Sequence, residues 1–344
     1  MKMSFNTGNN FRYIGIIGLL VLGSFSSIPS QNLFPIKNGK LYGYIDNKGK
    51  TVISPQFDKA YNFSEGLARV RKSGLIGFIN ASGNIVVEPK YQKAKDYSEG
   101  LAPVKLNGKW IYIDKSGKTI ITPVCDYAYR FSDGLARLQI GYKLGYIDKS
   151  GKIIIPAEYD GAYDFQEGLA RVKKGDKWGY IDSKGKMSIG FKFDACFDFH
   201  EGLANVRMGD EKSGKWGYID KTGNVVIDYR YDRAYYFDEG LALIRVGDFK
   251  TGKYGYIDKS GRMVIEPLFD AGFNFTGGLA NVGVFQGKIL KYGYIDKNGK
   301  IVIARQFDYP SDFKNGLAKV RLGNFKNGTE GYIDKSGNFV WQRQ

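Results

Sequence analysis

Apolar and polar positions alternate in short runs along most of the chain, and no segment repeats its apolar residues at helical spacing. Residues 177–186, KWGYIDSKGK, are representative. In an extended strand Trp178, Tyr180 and Asp182 fall on one face, and Gly179 and Ile181 on the other. Before this stretch comes a Leu-Ala-x-Val pattern (169–173). After such stretches comes an apolar run, as at 152–155 or 224–227. Asp-x-x-Gly separates the last two elements. Its Asp accepts bonds from the turn backbone and its Gly takes a left-handed conformation, a common hairpin connector. The pattern therefore predicts a three-stranded antiparallel meander, with an intervening aromatic-Asp-x-Ala stretch as the connector.

The meander recurs. Gly-Tyr-Ile-Asp begins at Gly43, Gly145, Gly179, Gly217, Gly255, Gly293 and Gly331, with looser copies at Gly77 and Ile111. Successive starts are 34 residues apart up to Gly179 and 38 apart afterwards. Gly-Leu-Ala keeps the same beat from Gly66 to Gly316. An aromatic stands three residues before each of these glycines, and an acid usually precedes them directly, as in Glu65, Glu99, Asp133, Glu167, Glu201 and Glu239. The extra residues of the longer period fall at one point, in loops 208–215, 246–253, 284–291 and 322–329, so they gather on one face or rim.

Nine units fill residues 33–341, within a repeat region spanning 31–344, and no stretch remains for a separate catalytic domain. The fold class is all-β. Two architectures fit: an open β-solenoid or superhelical array of meanders, or a β-propeller-like ring. Propeller blades usually carry four strands in about 40 residues, in rings of roughly four to eight. A period as short as 34 residues, nine units and ends that fall in phase favour the open array. In either, each unit buries its aromatics against its neighbours.

At Lys177-Trp178-Gly179 and Lys215-Trp216-Gly217, each followed by Tyr-Ile-Asp, the chain resembles the WG-repeat (KWG-repeat) family, abundant in spirochaetes and other bacteria. The resemblance extends over all nine units. It implies tandem β repeats, often exported, with no catalytic residues assigned. The pattern drifts: Tyr42, Ile76, Leu144, Tyr254, Tyr292 and Glu330 stand at the Trp position, and Ile111 at the Gly position. Such drift marks the Trp as a packing or surface aromatic rather than a required chemical group.

Composition adds to this picture. Aromatics make up 15% of the chain and there are 46 glycines, which suits strands and turns. Lys2 and Arg12 precede an apolar segment, 13–25, and then Ser26, Ser27 and Ser30. This is the layout of a secretory signal peptide over residues 1–30, too short to span a bilayer, which takes about 20 apolar residues. Retention as an anchor is the alternative. No Cys stands at the cleavage point, which excludes a lipoprotein signal. The chain carries a net charge of +16, and removal of Lys2 and Arg12 leaves 49 basic against 35 acidic residues, +14. A basic balance favours anionic partners. Export makes nucleic acid the least expected of these.

Catalytic constellations are weak. His200, the one histidine, stands where other units carry Ser64, Ser98 or Asp238. Cys125 and Cys196 occupy different repeat positions and read as small apolar stand-ins rather than a disulfide pair. The turn aspartates recur singly, without the clustered oxygens a calcium loop needs. The Glu-Gly acids recur six times, whereas a catalytic pair is singular. No catalytic, cofactor-binding or metal-binding residue is therefore expected.

The leading expectation is a non-enzymatic exported repeat scaffold that binds a protein or an envelope surface. The alternative is multivalent binding of glycan or another anionic polymer. Trp110, Trp178, Trp216, Tyr254, Tyr292, Lys177, Lys215 and Lys253 are the candidate partner-facing residues, because sugar faces stack on flat aromatics and lysines pair with anions. The tyrosine row after the Gly (Tyr44, Tyr112, Tyr146, Tyr180 and their counterparts) is expected to be core.

Overall fold

A computed structural model describes residues 32–248, 250–324 and 326–343. The expected signal segment, residues 1–30, lies outside them. The described residues form nine small antiparallel sheets and no α-helix. Strands a to d of the fifth sheet are Gly161–Ala162, Leu169–Lys174, Lys177–Asp182 and Met187–Phe193, paired in that order. The first sheet has three strands, b to d: Phe34–Asn38, Leu41–Ile45 and Thr51–Phe57.

Strands b, c and d are the expected meander; strand a is the addition. The stretch expected to be a connector pairs with the following sheet. Tyr159 ends strand d of the fourth sheet opposite Leu144. One residue later, the Asp160 amide donates to Lys173 of the fifth sheet, and Gly161 and Ala162 pair with Lys173 and Val172. A two-residue strand carries too little alternation to register as one in sequence.

The first Gly of the repeated stretch has a steric reason. Strand d bulges and crosses over it: Trp178 pairs with Phe193 but Tyr180 with Ile189. A Cβ on Gly179 would lie 2.6 Å from the Ile189 carbonyl oxygen, and on Gly217 2.5 Å from that of Ile227. The third sheet tests this reading, because Ile111 stands at that position. There strand d stops at Ile121, no partner pairs with Trp110 from that side, and Val124 is left 91% exposed.

The core lies between sheets. Tyr180, fully buried, meets the Phe199 ring of the next sheet edge-on at 5.0 Å, and its hydroxyl donates to the Phe197 carbonyl at 2.7 Å. The same pair recurs at Tyr44–Phe63, Tyr112–Phe131, Tyr146–Phe165, Tyr256–Phe275 and Tyr294–Phe313. Where Phe78 replaces the Tyr, Tyr97 replaces the facing Phe and carries the hydroxyl to the Asp114 carbonyl. The expected core role of the tyrosine row therefore holds. Each phenylalanine or isoleucine so buried contributes about 1.5–3 kcal/mol.

The nine sheets close into a ring, and this corrects the open solenoid. The Gly of each Asp-x-x-Gly turn rests on strand d of the preceding sheet: Gly83 on Ile53, Gly117 on Val87, and so on to Gly337 on Ile303. The series does not end there. Gly49 of the first sheet rests on Val340 of the ninth. Phe34, Ile36 and Ile45 pack with Leu317 and Tyr332, and the Tyr332 hydroxyl donates to the Pro35 carbonyl at 3.0 Å. The molecule is a nine-bladed β-propeller. Ends in phase did not argue against a ring, because closure here uses the same side-to-side packing as every other blade interface and needs no split blade.

Candidate functional site

The charged residues of the repeat are largely engaged between blades. On one rim, where strands a and b and strands c and d turn, six of the eight two-residue a–b turns place an acid in the left-handed region, φ 50° at Glu65 and 54° at Glu167, and the last two place Gly277 and Asn315 there. The acid is held there by the next blade. Glu65 accepts from the Glu99 and Gly100 amides at 2.5 and 2.9 Å and pairs with Lys115. Glu167 accepts from the Gly202 amide and pairs with Lys221 at 3.0 Å. Burial opposes ionisation of Glu65, but the two amides and Lys115 outweigh it and hold its pKa below the ordinary value. The turn aspartates behave as expected: Asp182 accepts from the Lys184 and Lys186 amides at 2.9 Å. Among the described residues no group of three or more His, Cys, Asp or Glu is placed to hold a metal ion.

On the opposite rim a second latch joins the blades. The Asp that links strand d to the next strand a accepts from the preceding blade's lysine and the following blade's b–c turn. Asp194 takes Lys177 at 2.6 Å and the Gly209 amide at 2.8 Å; Asp232 takes Lys215 at 2.5 Å and the Gly247 amide at 2.8 Å. Lys253 pairs with Asp270 in the same way. The Lys177 bond is the leading cause of the lowered Asp194 pKa. The three candidate lysines are thus members of blade-to-blade latches.

The candidate aromatics divide. Trp110 and Trp216 are each only 2% exposed. Trp178 is half-buried, with Tyr163 5.8 Å away and the Arg171 guanidinium 5.8 Å from its ring. Tyr254 and Tyr292 are half-buried and line separate cavities. The eight candidates are not brought together. Cys196 is buried in the core and Cys125 partly so; both are free thiols. His200 stacks on Tyr236 with ring centroids 4.3 Å apart.

The two rims differ in a way the repeat alone does not reveal. Most of the large apolar residues exposed on a rim, among the described residues, lie on the b–c rim. Leu75, Ile140, Tyr142, Met208, Phe285 and Ile289 are examples, with Tyr142 at 94% and Ile289 at 57% exposure. On the a–b rim Ile153, Val225 and Ile301, each the first residue of a strand d, are 52%, 46% and 46% exposed. The four inserted loops fall on this b–c rim, as their spacing implied. In blade 8 the insertion lengthens the hairpin, Ala280–Gln286 against Ile289–Ile295. In blade 6 it closes a compact loop, in which the Gly214 amide donates to the Asp210 carbonyl and the Asp210 carboxylate caps Lys212 and Ser213.

The inner side of the ring is identified by convergence, since blades meet near the axis and diverge outward. Tyr236, Asn274 and Asp312 hold the same position in blades 7, 8 and 9, yet line one cavity of about 360 Å³. In blades 2, 4 and 5 an arginine on this side occupies the space between aromatics. Arg171 lies 3.4 Å from the Tyr163 ring centre and 5.0 Å from Phe197, and donates to Asp198 at 2.8 Å and to the Cys196 carbonyl at 2.6 Å. Arg69 lies 4.1 Å from Tyr61 and donates to Asp96 and the Ala94 carbonyl; Arg137 lies 3.7 Å from Tyr129 and donates to the Ala162 carbonyl. These arginines escaped the sequence reading. The residue after Gly-Leu-Ala varies as Arg, Pro, Arg, Arg, Asn, Leu, Asn, Lys from Arg69 to Lys319, and that variation was the available signal.

Comparison with known proteins agrees with the repeat pattern. The WG containing repeat matches at residues 42–75, 76–110, 112–143, 145–178, 178–211, 216–248, 254–284 and 292–324. No curated protein matches. Among solved structures the chain is similar to a putative dipeptidyl aminopeptidase IV from Bacteroides ovatus, at 10% identity and TM-score 0.46, covering 90% of this chain and 58% of that one. It is similar also to the tricorn protease, at 11% identity and TM-score 0.34, covering 81% and 34% of the two chains. PorZ, a surface component of the type-IX secretion system of Porphyromonas gingivalis, matches at 13% identity and TM-score 0.33, covering 83% and 44%. The chain thus spans less than half the length of these last two proteins.

Proposed function

The chain belongs to the WG-containing repeat family, and on that premise we propose that it is a non-catalytic interaction scaffold, exported to the bacterial envelope or beyond, that docks a protein partner on its b–c rim. The observation that carries this reading is the rim asymmetry. Exposed apolar side chains are more numerous and reach higher exposure on the b–c rim, where the four insertions break the repeat, than on the opposite rim, where Ile153, Val225 and Ile301 are exposed. Phe285 and Ile289, both more than half exposed, stand together at the tip of one lengthened hairpin, and adjoining apolar side chains left in water mark an interaction surface. The absence of catalysis is supported by the use of the repeated Lys, Asp and Glu side chains in blade-to-blade bonds. Export is supported by the basic and apolar layout of residues 1–30.

A photo-crosslinking residue placed at Phe285 is expected to trap an envelope protein, whereas one placed at Ser116 on the opposite rim is not. Equal labelling from both positions overturns the assignment of the rim. Binding of a glycan or anionic polymer is the second reading, favoured by the net charge of +16. Glycan arrays at low and high salt separate the two, because charge-driven binding weakens strongly with salt.

A further inference from the structure

We propose that the inner cavity of blades 7 to 9 is a binding site for a guanidinium group. In blade 5 such a group is supplied by the chain itself: Arg171 is sandwiched by Tyr163 and Phe197, near Trp178, with Asp198 and the Cys196 carbonyl as acceptors. Blade 7 reproduces the surroundings and removes the cation. Tyr235, Phe273 and Tyr254 stand at the positions of Tyr163, Phe197 and Trp178, and all three line the cavity. Asn274 stands at the position of Asp198 and Gly272 at that of Cys196. Where Arg171 stands in blade 5, blade 7 has Leu243, which is buried and forms part of the cavity wall.

The space of about 360 Å³ therefore has aromatic walls and acceptor oxygens without an internal cation. Two further observations point to a ligand. The Asn274 Oδ1 is buried and has no hydrogen-bond partner. The Asp312 carboxylate, contributed by blade 9, lines the same cavity, and its bond from Asn281 leaves acceptor capacity for a cation. Aromatic faces attract a flat cation, and a guanidinium also presents a fork of N–H donors to the two side-chain oxygens. In blades 2 to 5 the chain fills such spaces itself. In blade 3, where Pro103 replaces the Arg, the Lys95 ammonium lies 5.0 Å from both Tyr127 and Tyr129. The site rests on this cavity alone and is independent of the rim reading.

The test is calorimetric titration of the full chain with methylguanidinium, with N-acetyl-arginine amide and with its citrulline counterpart. One equivalent of each cationic probe is expected to bind, with the neutral citrulline compound weaker by about tenfold or more. A short arginine-containing peptide added to the series distinguishes sources: tighter binding than the isolated derivative indicates an arginine side chain of a partner, equal binding a small free cation. Leu243→Arg restores the internal group used in blades 2, 4 and 5 and is expected to abolish binding without lowering the melting temperature. The reverse change, Arg171→Leu, is expected to open a second site and raise the stoichiometry to two. Undiminished binding to folded Leu243→Arg, equal binding of the citrulline compound, or no binding of any probe overturns the proposal. Loss of rim crosslinking would leave these outcomes unchanged.

Discussion

At the scale of single residues the repeat is governed by close approach and by buried hydroxyls. Gly179→Ala forces a methyl onto the Ile189 carbonyl at 2.6 Å and is expected to cost about 1–3 kcal/mol in urea denaturation. Gly190→Ala, eleven positions on, adds a methyl where nothing lies within 4 Å and is expected to be near neutral. Comparable losses at both sites would refute the steric account. Tyr180→Phe leaves the Phe197 carbonyl without its donor and is expected to cost about 1–3 kcal/mol. The Asp and Gly of the turn and the Tyr of the core were legible in sequence, because their roles are local or follow from strand alternation. The role of Gly179 was not, because the atoms that exclude a side chain there belong to a strand that folds back over it. The arginines between aromatics were hidden for a related reason: their partners Asp96 and Asp198 lie on the neighbouring blade.

At the scale of elements, strand a and the carboxylate latches decide how one blade is joined to the next. Asp194 has its pKa lowered chiefly by Lys177. At Asp232, Asp270 and Asp308 burial opposes ionisation, and the paired lysine and backbone amide overcome it. A depressed folded-state pKa gives stability that is complete above the ordinary carboxylate value and is lost as the pH falls through the lowered one. The urea midpoint is therefore expected to hold steady near neutrality and to fall below about pH 4. Asp198, whose pKa is raised by burial, works in the opposite direction and blunts this fall. Replacing Lys177 and Lys215 together with Met is expected to flatten the acid slope; an unchanged slope would show that the latches do not carry it. Three strands per blade were legible, since each alternates over several residues. The fourth was not, because in most blades it is held by two residues and the edge of a neighbour rather than by a pattern of its own.

At the scale of the whole molecule the ring depends on one seam between chain-distant blades. Tyr332→Phe removes the same kind of bond as Tyr218→Phe, but Tyr332 reaches across the seam to Pro35 whereas Tyr218 reaches the next blade in sequence, at Tyr235. Amide exchange is expected to quicken in blades 1 and 9 alone for the first variant, and locally in blades 6 and 7 for the second. Exchange that spreads evenly around the ring in both would mean that the seam has no separate stability. Number, phase and length of the repeats were legible in the chain. Closure was not, because periodicity fixes which faces meet but not the angle between them, and that angle decides between a spiral and a circle.

Blade 3 gives this circle a severable point. Ile111 shortens its last strand, and the link to blade 4 runs past the exposed Val124 without ladder partners at residues 122–125. A protease that nicks the chain there would cut between whole blades, leaving one piece with the first three and another with the remaining six. Each piece keeps its own sheets, and two intact contact surfaces, one at the nick and one at the seam, hold them together. The chain is therefore suited to fragment complementation: a three-blade and a six-blade piece divided at Val124 and expressed separately are expected to recombine into a single ring.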